Sequence, residues 1–116
     1  MAGDLRISLD DRRVYRRGHS IELSPTEFRL LLALVQQAGR PVSHSRLLFS
    51  VWGPEYVDSR NYLRLYVGYL RSKLEDDPAT PQIIVNEWGI GYRFQEVGHV
   101  KEKSKNIAQA FLVSER

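Results

Sequence analysis

The chain has 116 residues, of which 42% are hydrophobic and 27% charged, a balance typical of one globular domain with a modest core. No apolar run reaches the roughly 18 residues that a membrane-spanning helix needs, and the N-terminus lacks the apolar segment of a signal peptide. The absence of cysteine excludes disulfides, thiolate nucleophiles and cysteine-based zinc sites, and it fits a cytoplasmic protein. A net charge of +3 permits phosphate binding, so the placement of the charges matters more than their sum.

The N-terminal stretch predicts a small antiparallel sheet with one buried face. Its apolar residues alternate in two runs with one valine between them: Leu5, Ile7, Leu9, Val14, Ile21 and Leu23. Residues 10–11 and 17–19 supply the turns.

A first helix begins at a strong start signal. Ser24 is placed as the N-cap, Pro25 as the first helical residue and Glu27 as the partner that completes a capping box. We expect Gly39 to end this helix. Its inward stripe is predicted to comprise Phe28, Leu31, Leu32 and Val35.

A short extended link at residues 39–43 leads to a second helix that Ser43 caps and that continues to residue 52. Its apolar side is predicted to comprise Leu47, Leu48, Val51 and Trp52. Gly53 and Pro54 break this helix, and a loop of about five residues follows.

A third helix is predicted over residues 58–75, capped by Asp58 or Ser59 and followed by two prolines. Its inward row is Leu63, Val67, Leu70 and Leu74. A β-hairpin follows, with strands at residues 83–86 and 90–94 and a turn near Gly89.

Residues 95–116 differ in character, being polar at first and then apolar at helical spacing at Ile107, Ala108, Phe111 and Leu112. A docking helix, a partner-binding segment and a cloning remnant all remain open. We divide the chain into a domain at residues 1–95 and a C-terminal extension at residues 96–116.

The outward side of the third helix carries arginine, asparagine and tyrosine, and no glutamate occurs between Ser59 and Leu74. An α-helix fits the major groove of DNA, where arginine pairs with guanine, asparagine with adenine, and a tyrosine ring with thymine methyls. Surface arginines are common, and Tyr62 or Tyr66 could instead cover the edge of the core. The whole set on one helix, with a hairpin behind it, favours an α+β winged helix-turn-helix that binds DNA.

Four stretches carry a family resemblance, namely "LSPTEFRLLLAL", "GRPVSHSRLLFSVWG", "YLRSKLEDDP" and "GIGYRF". In this order, and without a gap from about Leu5 to Phe94, the chain resembles the effector domain of OmpR/PhoB-type response regulators. The stretch "YLRLYVGYLRSKLE" is most similar to the KdpE branch, which controls a potassium-uptake operon. The resemblance implies a winged helix with an N-terminal antiparallel sheet, three helices and a C-terminal hairpin wing. It also implies sequence-specific binding of double-stranded DNA in two-component transcriptional regulation.

The resemblance also implies roles for particular residues. The recognition helix that enters the major groove would use Arg60, Asn61, Arg64, Tyr66, Gly68, Tyr69 and Arg71. The wing would contact the minor groove and phosphates through Asn86, Trp88, Tyr92 and Arg93. The loop that touches RNA polymerase would comprise Trp52, Gly53, Pro54, Glu55, Tyr56 and Val57. A second copy would bind head-to-tail on a direct repeat.

Three positions depart from the family pattern. Many relatives carry a basic residue in place of Gly68 and another in place of Trp88. The glycine would let DNA approach the helix backbone closely, and the tryptophan could stack on a sugar or pack against the helix. Arg46 stands where relatives often have the Gln or Glu of a capping box, which predicts a weaker start for the second helix.

Relatives also carry an N-terminal receiver domain with a phospho-accepting aspartate, and nothing in this chain matches it. Asp10 and Asp11 lie in a predicted turn, without the surrounding βα units of a receiver. We favour an excised effector domain over a natural single-domain regulator. The receiver domain, joined in cis, would then exert control by phosphorylation.

An enzyme is not expected. His19, His44 and His99 fall in a turn, a helix start and the tail, and they form neither a metal site nor an acid–base pair. His44 could contact a phosphate or remain a solvated polar residue. The residues around Gly89 are too few for a nucleotide-binding fingerprint, so no cofactor and no metal are expected. The alternative function is a winged helix used for protein contact, with the third helix or the tail docked on another chain.

Overall fold

The computed structural model describes residues 5–8, 10–95, 99–104 and 107–111. The N-terminal sheet has the antiparallel order β1-β2-β3, with strands Leu5–Ser8, Arg13–Arg16 and His19–Ile21. Its alternation buries Leu5, Ile7 and Val14, which confirms the predicted buried face. The predicted core residue Leu9 lies outside the described residues.

Helix α1 spans Pro25–Val35, and both bonds of the predicted capping box are present. The Glu27 amide donates to Ser24 Oγ at 3.2 Å, and the Ser24 amide donates to Glu27 Oε1 at 2.9 Å. The predicted end at Gly39 is wrong, because the helix ends at Val35. Residues 36–39 form tight turns after it. Gly39, at φ 85°, instead donates its amide to the Phe94 carbonyl at 2.9 Å.

Helices α2 (His44–Trp52) and α3 (Arg60–Leu74) are joined by a 3₁₀ helix at Pro54–Tyr56, where a loop was predicted. Ser43 caps α2 by accepting from the Arg46 amide at 3.1 Å, and α2 lacks an acidic residue in its first turn to complete a capping box. Ser59 is the N-cap residue of α3, but its side chain makes no capping bond, so that part of the prediction is wrong.

The core lies between the three helices and the two sheets. The predicted row of α3 is confirmed, since Leu63, Val67, Leu70 and Leu74 are each at most 1% exposed. Helix α1 is buried on a wider face than predicted, because Leu30 and Leu34 are fully buried whereas Leu32 is only partly buried.

A second antiparallel sheet has the order β4-β6-β5, with strands Pro41–Ser43, Gly91–Phe94 and Ile84–Glu87. The predicted hairpin is β5-β6, and the link predicted before α2 is the additional strand β4. Strand β4 approaches β6 so closely that a Cβ on Gly91 would lie 2.0 Å from the Val42 carbonyl oxygen. Position 91 therefore requires glycine. These helices and strands form the predicted α+β winged helix-turn-helix.

Strands β7 (His99–Ser104) and β8 (Ile107–Phe111) form an antiparallel hairpin, and β8 runs close to β1. The docking-helix alternative for this segment is therefore wrong, since three of its four apolar residues lie in a strand. The fourth, Leu112, lies outside the described residues, and the division of the chain at residue 95 remains a prediction. Within the described ranges, no helix has the length and apolarity that crossing a membrane requires.

Candidate nucleic-acid interface

The face of α3 directly opposite the core is formed by one row of residues. Successive residues of an α-helix are rotated by about 100°, so positions two residues before the buried row lie about 200° away from it. This outward row is Asn61, Leu65, Gly68 and Ser72. Together with Arg64 and Tyr69 it lines a shallow open groove. A Cβ on Gly68 would meet no atom within 4 Å, so the groove is open above the helix backbone.

The flank of α3 toward the wing carries Arg60, Arg64 and Arg71. Arg60 and Arg64 are exposed, as predicted for residues that face a ligand. The prediction that Arg71 faces outward is wrong, because its guanidinium is half-buried against β5. Its Nε and Nη2 donate to the Ile84 carbonyl at 3.0 and 2.8 Å, and Nη2 also donates to Asn86 Oδ1 at 2.9 Å.

Glu75 completes this contact between α3 and the wing, and it was missing from the predicted site. Its carboxylate is buried and accepts from the amides of Gln82, Ile83 and Ile84 at 2.7, 2.9 and 2.8 Å. Arg71 thus binds the carbonyl of Ile84, and Glu75 binds its amide. We call these two side chains at the C-terminal end of α3 the Arg71–Glu75 clamp. The clamp fixes the position of the wing relative to α3. The sequence did indicate a special role for Glu75, since a carboxylate at a helix C-terminus opposes the helix dipole and needs a compensating partner.

The opposite flank of α3 is aromatic. The Tyr62 and Tyr69 side chains are 45% and 43% exposed, whereas Tyr66 is half-buried against the core. The Tyr66 ring lies edge-on to Trp52 at 5.3 Å and to Tyr69 at 5.2 Å, and the Tyr56 ring lies 5.6 Å from Tyr62. The prediction that Tyr66 faces outward with the other DNA-contacting residues is wrong, because Tyr66 covers the edge of the core, whereas Tyr62 does not.

These rings attach α3 to the predicted polymerase-contact loop, residues 52–57. Gly53, at φ 112°, is both the C-cap of α2 and the N-cap of the 3₁₀ helix. Pro54 and Glu55 are exposed, whereas Trp52, Tyr56 and Val57 are half-buried. The loop therefore lies at the surface beside α3.

The wing presents fewer free side chains than predicted. Trp88 is 86% exposed at the tip, so the alternative that it packs against the helix is wrong. Tyr92 does not lie on the surface, since it is only 7% exposed and contacts the Arg71 guanidinium and the His44 ring. Arg93 is half-buried and bonds to Glu87 and Gln95, and Asn86 accepts from Arg71.

Two titratable groups beside the interface have shifted pKa values. Burial and the nearby Arg60 charge lower the pKa of His44, which favours its neutral form near pH 7. The His44 ring is half-buried and lies edge-on to Tyr92 at 5.7 Å, so it packs rather than being freely solvated. Burial also lowers the pKa of Arg71, although the nearby Tyr92 and Glu75 oppose that shift.

No candidate metal centre was found in the part of the chain that the structure describes, where no three His, Cys, Asp or Glu residues are grouped. His19 is exposed at the start of β3, and His44 packs as described above. The side chain of His99 lies outside the described set.

Relatives of this chain are transcriptional regulators. The family described as "Transcriptional regulatory protein, C terminal" matches residues 18–94, well over half of the chain. The KDP operon transcriptional regulatory protein KdpE of Escherichia coli K12 is 46% identical over 91 residues, which cover 78% of this chain and 40% of that protein. The chain thus spans about two fifths of the length of this relative.

Solved structures show the same fold. The DNA-binding domain of Klebsiella pneumoniae RstA, in complex with the RstA box, has a TM-score of 0.73 and 30% identity over 80% of this chain and 92% of that one. The Thermotoga maritima response regulator DrrB, an OmpR/PhoB homologue, has a TM-score of 0.67 and 35% identity over 80% of this chain and 42% of that one. The motifs, the winged helix and these likenesses agree, and the chain belongs to the family of DNA-binding effector domains of OmpR/PhoB-type response regulators.

Proposed function

We propose that this domain binds double-stranded DNA sequence-specifically, with α3 in the major groove and the wing tip near the adjacent minor groove. The observation that carries the proposal is the outward face of α3. It presents exposed Asn61, Arg64 and Tyr69, with Arg60 exposed beside them, and α3 contains no acidic residue. These side chains suit adenine, guanine and phosphates, respectively. The RstA domain solved on its DNA box supports the same use of the fold.

We assign the direct contacts to the side chains that are free to move toward DNA. These are Arg60, Asn61, Arg64 and Tyr69 on α3 and Trp88 on the wing. Gly68 serves by letting the helix backbone approach closely. Arg71, Tyr92 and Arg93 support the wing from within, so any contact that they make with DNA is secondary to that role.

The likeness to KdpE supports a finer proposal, which is control of a potassium-transport operon by a two-component system acting in the cytoplasm. A receiver domain joined in cis would supply phosphorylation control. The ordered loop at residues 52–57 would contact RNA polymerase, and a second copy would bind head-to-tail on a direct repeat. The family resemblance of the sequence supports these three partners.

Selection of random duplex DNA on the domain tests this proposal directly. We expect recovery of direct repeats with half-sites about one helical turn apart, as for paired copies on one side of the duplex. Retention without a consensus would contradict sequence-specific binding by the isolated domain. Failure to retain any duplex at low salt would remove the DNA proposal and favour protein contact.

Salt and Arg64 provide a second test. Affinity should fall by about 0.9 log units per phosphate contact for each log unit of added salt, whereas a mostly apolar protein interface would be far less sensitive. The variant Arg64→Ala should bind the selected site about 1–3 kcal/mol more weakly and discriminate less at one base pair. Unchanged selectivity in this variant would exclude Arg64 from base recognition.

A further inference from the structure

An exposed leucine lies in the middle of the outward face of α3. Leu65 is 47% exposed, between Asn61 on the preceding turn and Gly68 on the following one. Tyr69, four residues later and therefore on the same side of the helix, is 43% exposed. Scattered surface leucines need no explanation, but here an apolar pair occupies the centre of a surface otherwise suited to DNA.

The surroundings of Leu65 identify the chemistry of its partner. Arg60 and Arg64 are exposed nearby, and α3 contains no acidic residue, so the face attracts a polyanion. A partner that fits this face therefore carries negative charge opposite the arginines and an apolar group opposite Leu65. In the major groove of DNA, thymine alone presents such a group, its 5-methyl.

The geometry of the row permits this contact. Gly68 contributes no side chain, and the space above its Cα is open, so a base edge can approach Leu65 without displacing protein atoms. Asn61, one turn earlier on the same row, is of the type that pairs with adenine through two bonds. We propose that Leu65, supported by Tyr69, contacts the 5-methyl group of thymine and thereby selects an A·T-containing half-site. This inference rests on the DNA-binding function proposed above.

Replacing thymine by deoxyuridine tests the contact, because it removes the methyl group and keeps every Watson–Crick and groove hydrogen-bonding group. The probe is the duplex that selection on the wild-type domain recovers, prepared once with thymine and once with deoxyuridine at each T. Wild type should bind the deoxyuridine duplex about fourfold more weakly for each contacted methyl, which is the effect of burying one such group. Leu65→Ala should bind the thymine duplex more weakly and lose most of the difference between the two duplexes.

Phe49→Ala is the matched control, because Phe49 is an equally apolar and 56% exposed side chain on α2, outside this face. It should keep the wild-type ratio of the two affinities. Thermal unfolding of both variants should stay near that of wild type, since each side chain is largely exposed.

Three results would overturn the inference. Equal wild-type affinity for both duplexes would show that no methyl is contacted, while leaving DNA binding intact. A wild-type ratio retained in Leu65→Ala would assign the methyl contact to another residue. Absence of any selected duplex would refute the DNA-binding function itself, and the inference with it.

Discussion

Two arginines on the same flank of α3 differ in what their guanidinium groups contact. Arg64 is exposed to solvent, whereas Arg71, seven residues later, is half-buried and bonded to the Ile84 carbonyl and to Asn86. Residue type and helical spacing are the same for both. The difference arises because only the C-terminal part of α3 lies against β5.

Replacing these arginines by alanine should therefore affect different properties, namely stability for Arg71 and DNA binding for Arg64. Arg71→Ala breaks hydrogen bonds made by a charged group, so we expect the free energy of unfolding to fall by about 1–3 kcal/mol in urea titrations. Arg64→Ala, the control, should change that free energy by less than about 0.5 kcal/mol and weaken DNA binding instead. Arg71→Lys should not restore stability, since an ammonium lacks the fork that reaches both acceptors. Equal stability of the Arg64→Ala and Arg71→Ala variants would contradict a supporting role for Arg71.

At the scale of elements, α1 and α3 are joined by an ion pair at the start of α1. Glu27 is buried, belongs to the capping box of α1 and accepts from Lys73 Nζ at 2.7 Å. Burial raises the pKa of Glu27, but the bond and charge of Lys73 and the bonds of Ser24 outweigh it. The pKa therefore lies below its ordinary value of 4.5.

This shift predicts how stability depends on pH. Because the folded-state pKa is lowered, the unfolded chain binds more protons between the two values, and the free energy of unfolding rises with pH there. The stabilisation is complete above the unfolded value of 4.5 and is lost as pH falls through the folded value. Glu27→Gln should cost about 0.5–2 kcal/mol near neutral pH, as for a lost cap, and less in acid.

Urea titrations of wild type and Glu27→Gln over a series of pH values would measure this difference. Glu55→Gln is the control, because Glu55 is exposed on the 3₁₀ helix and its loss should cost less than about 0.5 kcal/mol. A difference between wild type and Glu27→Gln that stays constant into acid would argue against a Glu27–Lys73 contribution.

Elements defined by local patterns were predictable, and contacts between distant elements were not. The capping box at Ser24 and the buried row of α3 follow from spacing within one helix. Strand β4 has only three residues, one of them Pro41, and its pairing with β6 is set by residues about fifty positions away. In residues 107–111, the spacing of apolar residues predicted a helix, but these residues form strand β8. Spacing alone therefore does not decide between helix and strand there.

The residues of the candidate site also fall into those that the sequence predicted and those that it did not. Residue type and the family resemblance identified the exposed Asn61, Arg64 and Tyr69. Leu65 was missed because a leucine suggests core rather than surface. Its signal was the offset of two positions from the buried row. The Arg71–Glu75 clamp was not predicted because it joins α3 to backbone groups of β5, whose approach depends on the whole fold.

At the scale of the whole molecule, the N-terminal sheet shares its hydrophobic core with the helices. The family match begins at residue 18, after β1 and β2, yet Leu5, Ile7 and Val14 are buried with the helices. Arg16 and Arg17 also pair with Asp76 beyond the end of α3. The sheet and the winged helix should therefore unfold together.

Ile7→Ala tests this cooperation. The side chain is 1% exposed, so its truncation should lower the free energy of unfolding by about 2–5 kcal/mol. Tryptophan fluorescence, measured with Trp88 replaced by phenylalanine so that Trp52 is the one emitter, and far-ultraviolet circular dichroism should report the same shifted transition. Arg6→Ala, on the exposed side of β1 with a cation–π contact to Tyr15, should cost less than about 1 kcal/mol. A fluorescence transition unaffected by Ile7→Ala would indicate that the sheet unfolds separately.

The Arg71–Glu75 clamp has a consequence beyond placing the wing. Strand β5 forms one border of its sheet, and unpaired border strands invite pairing with other chains and aggregation. The amide and carbonyl of Ile84 are already occupied by the clamp, and the opposite border, β4, is short and begins with a proline that has no amide hydrogen. A strand of another chain therefore cannot pair with the amide and carbonyl of Ile84 while the clamp is intact.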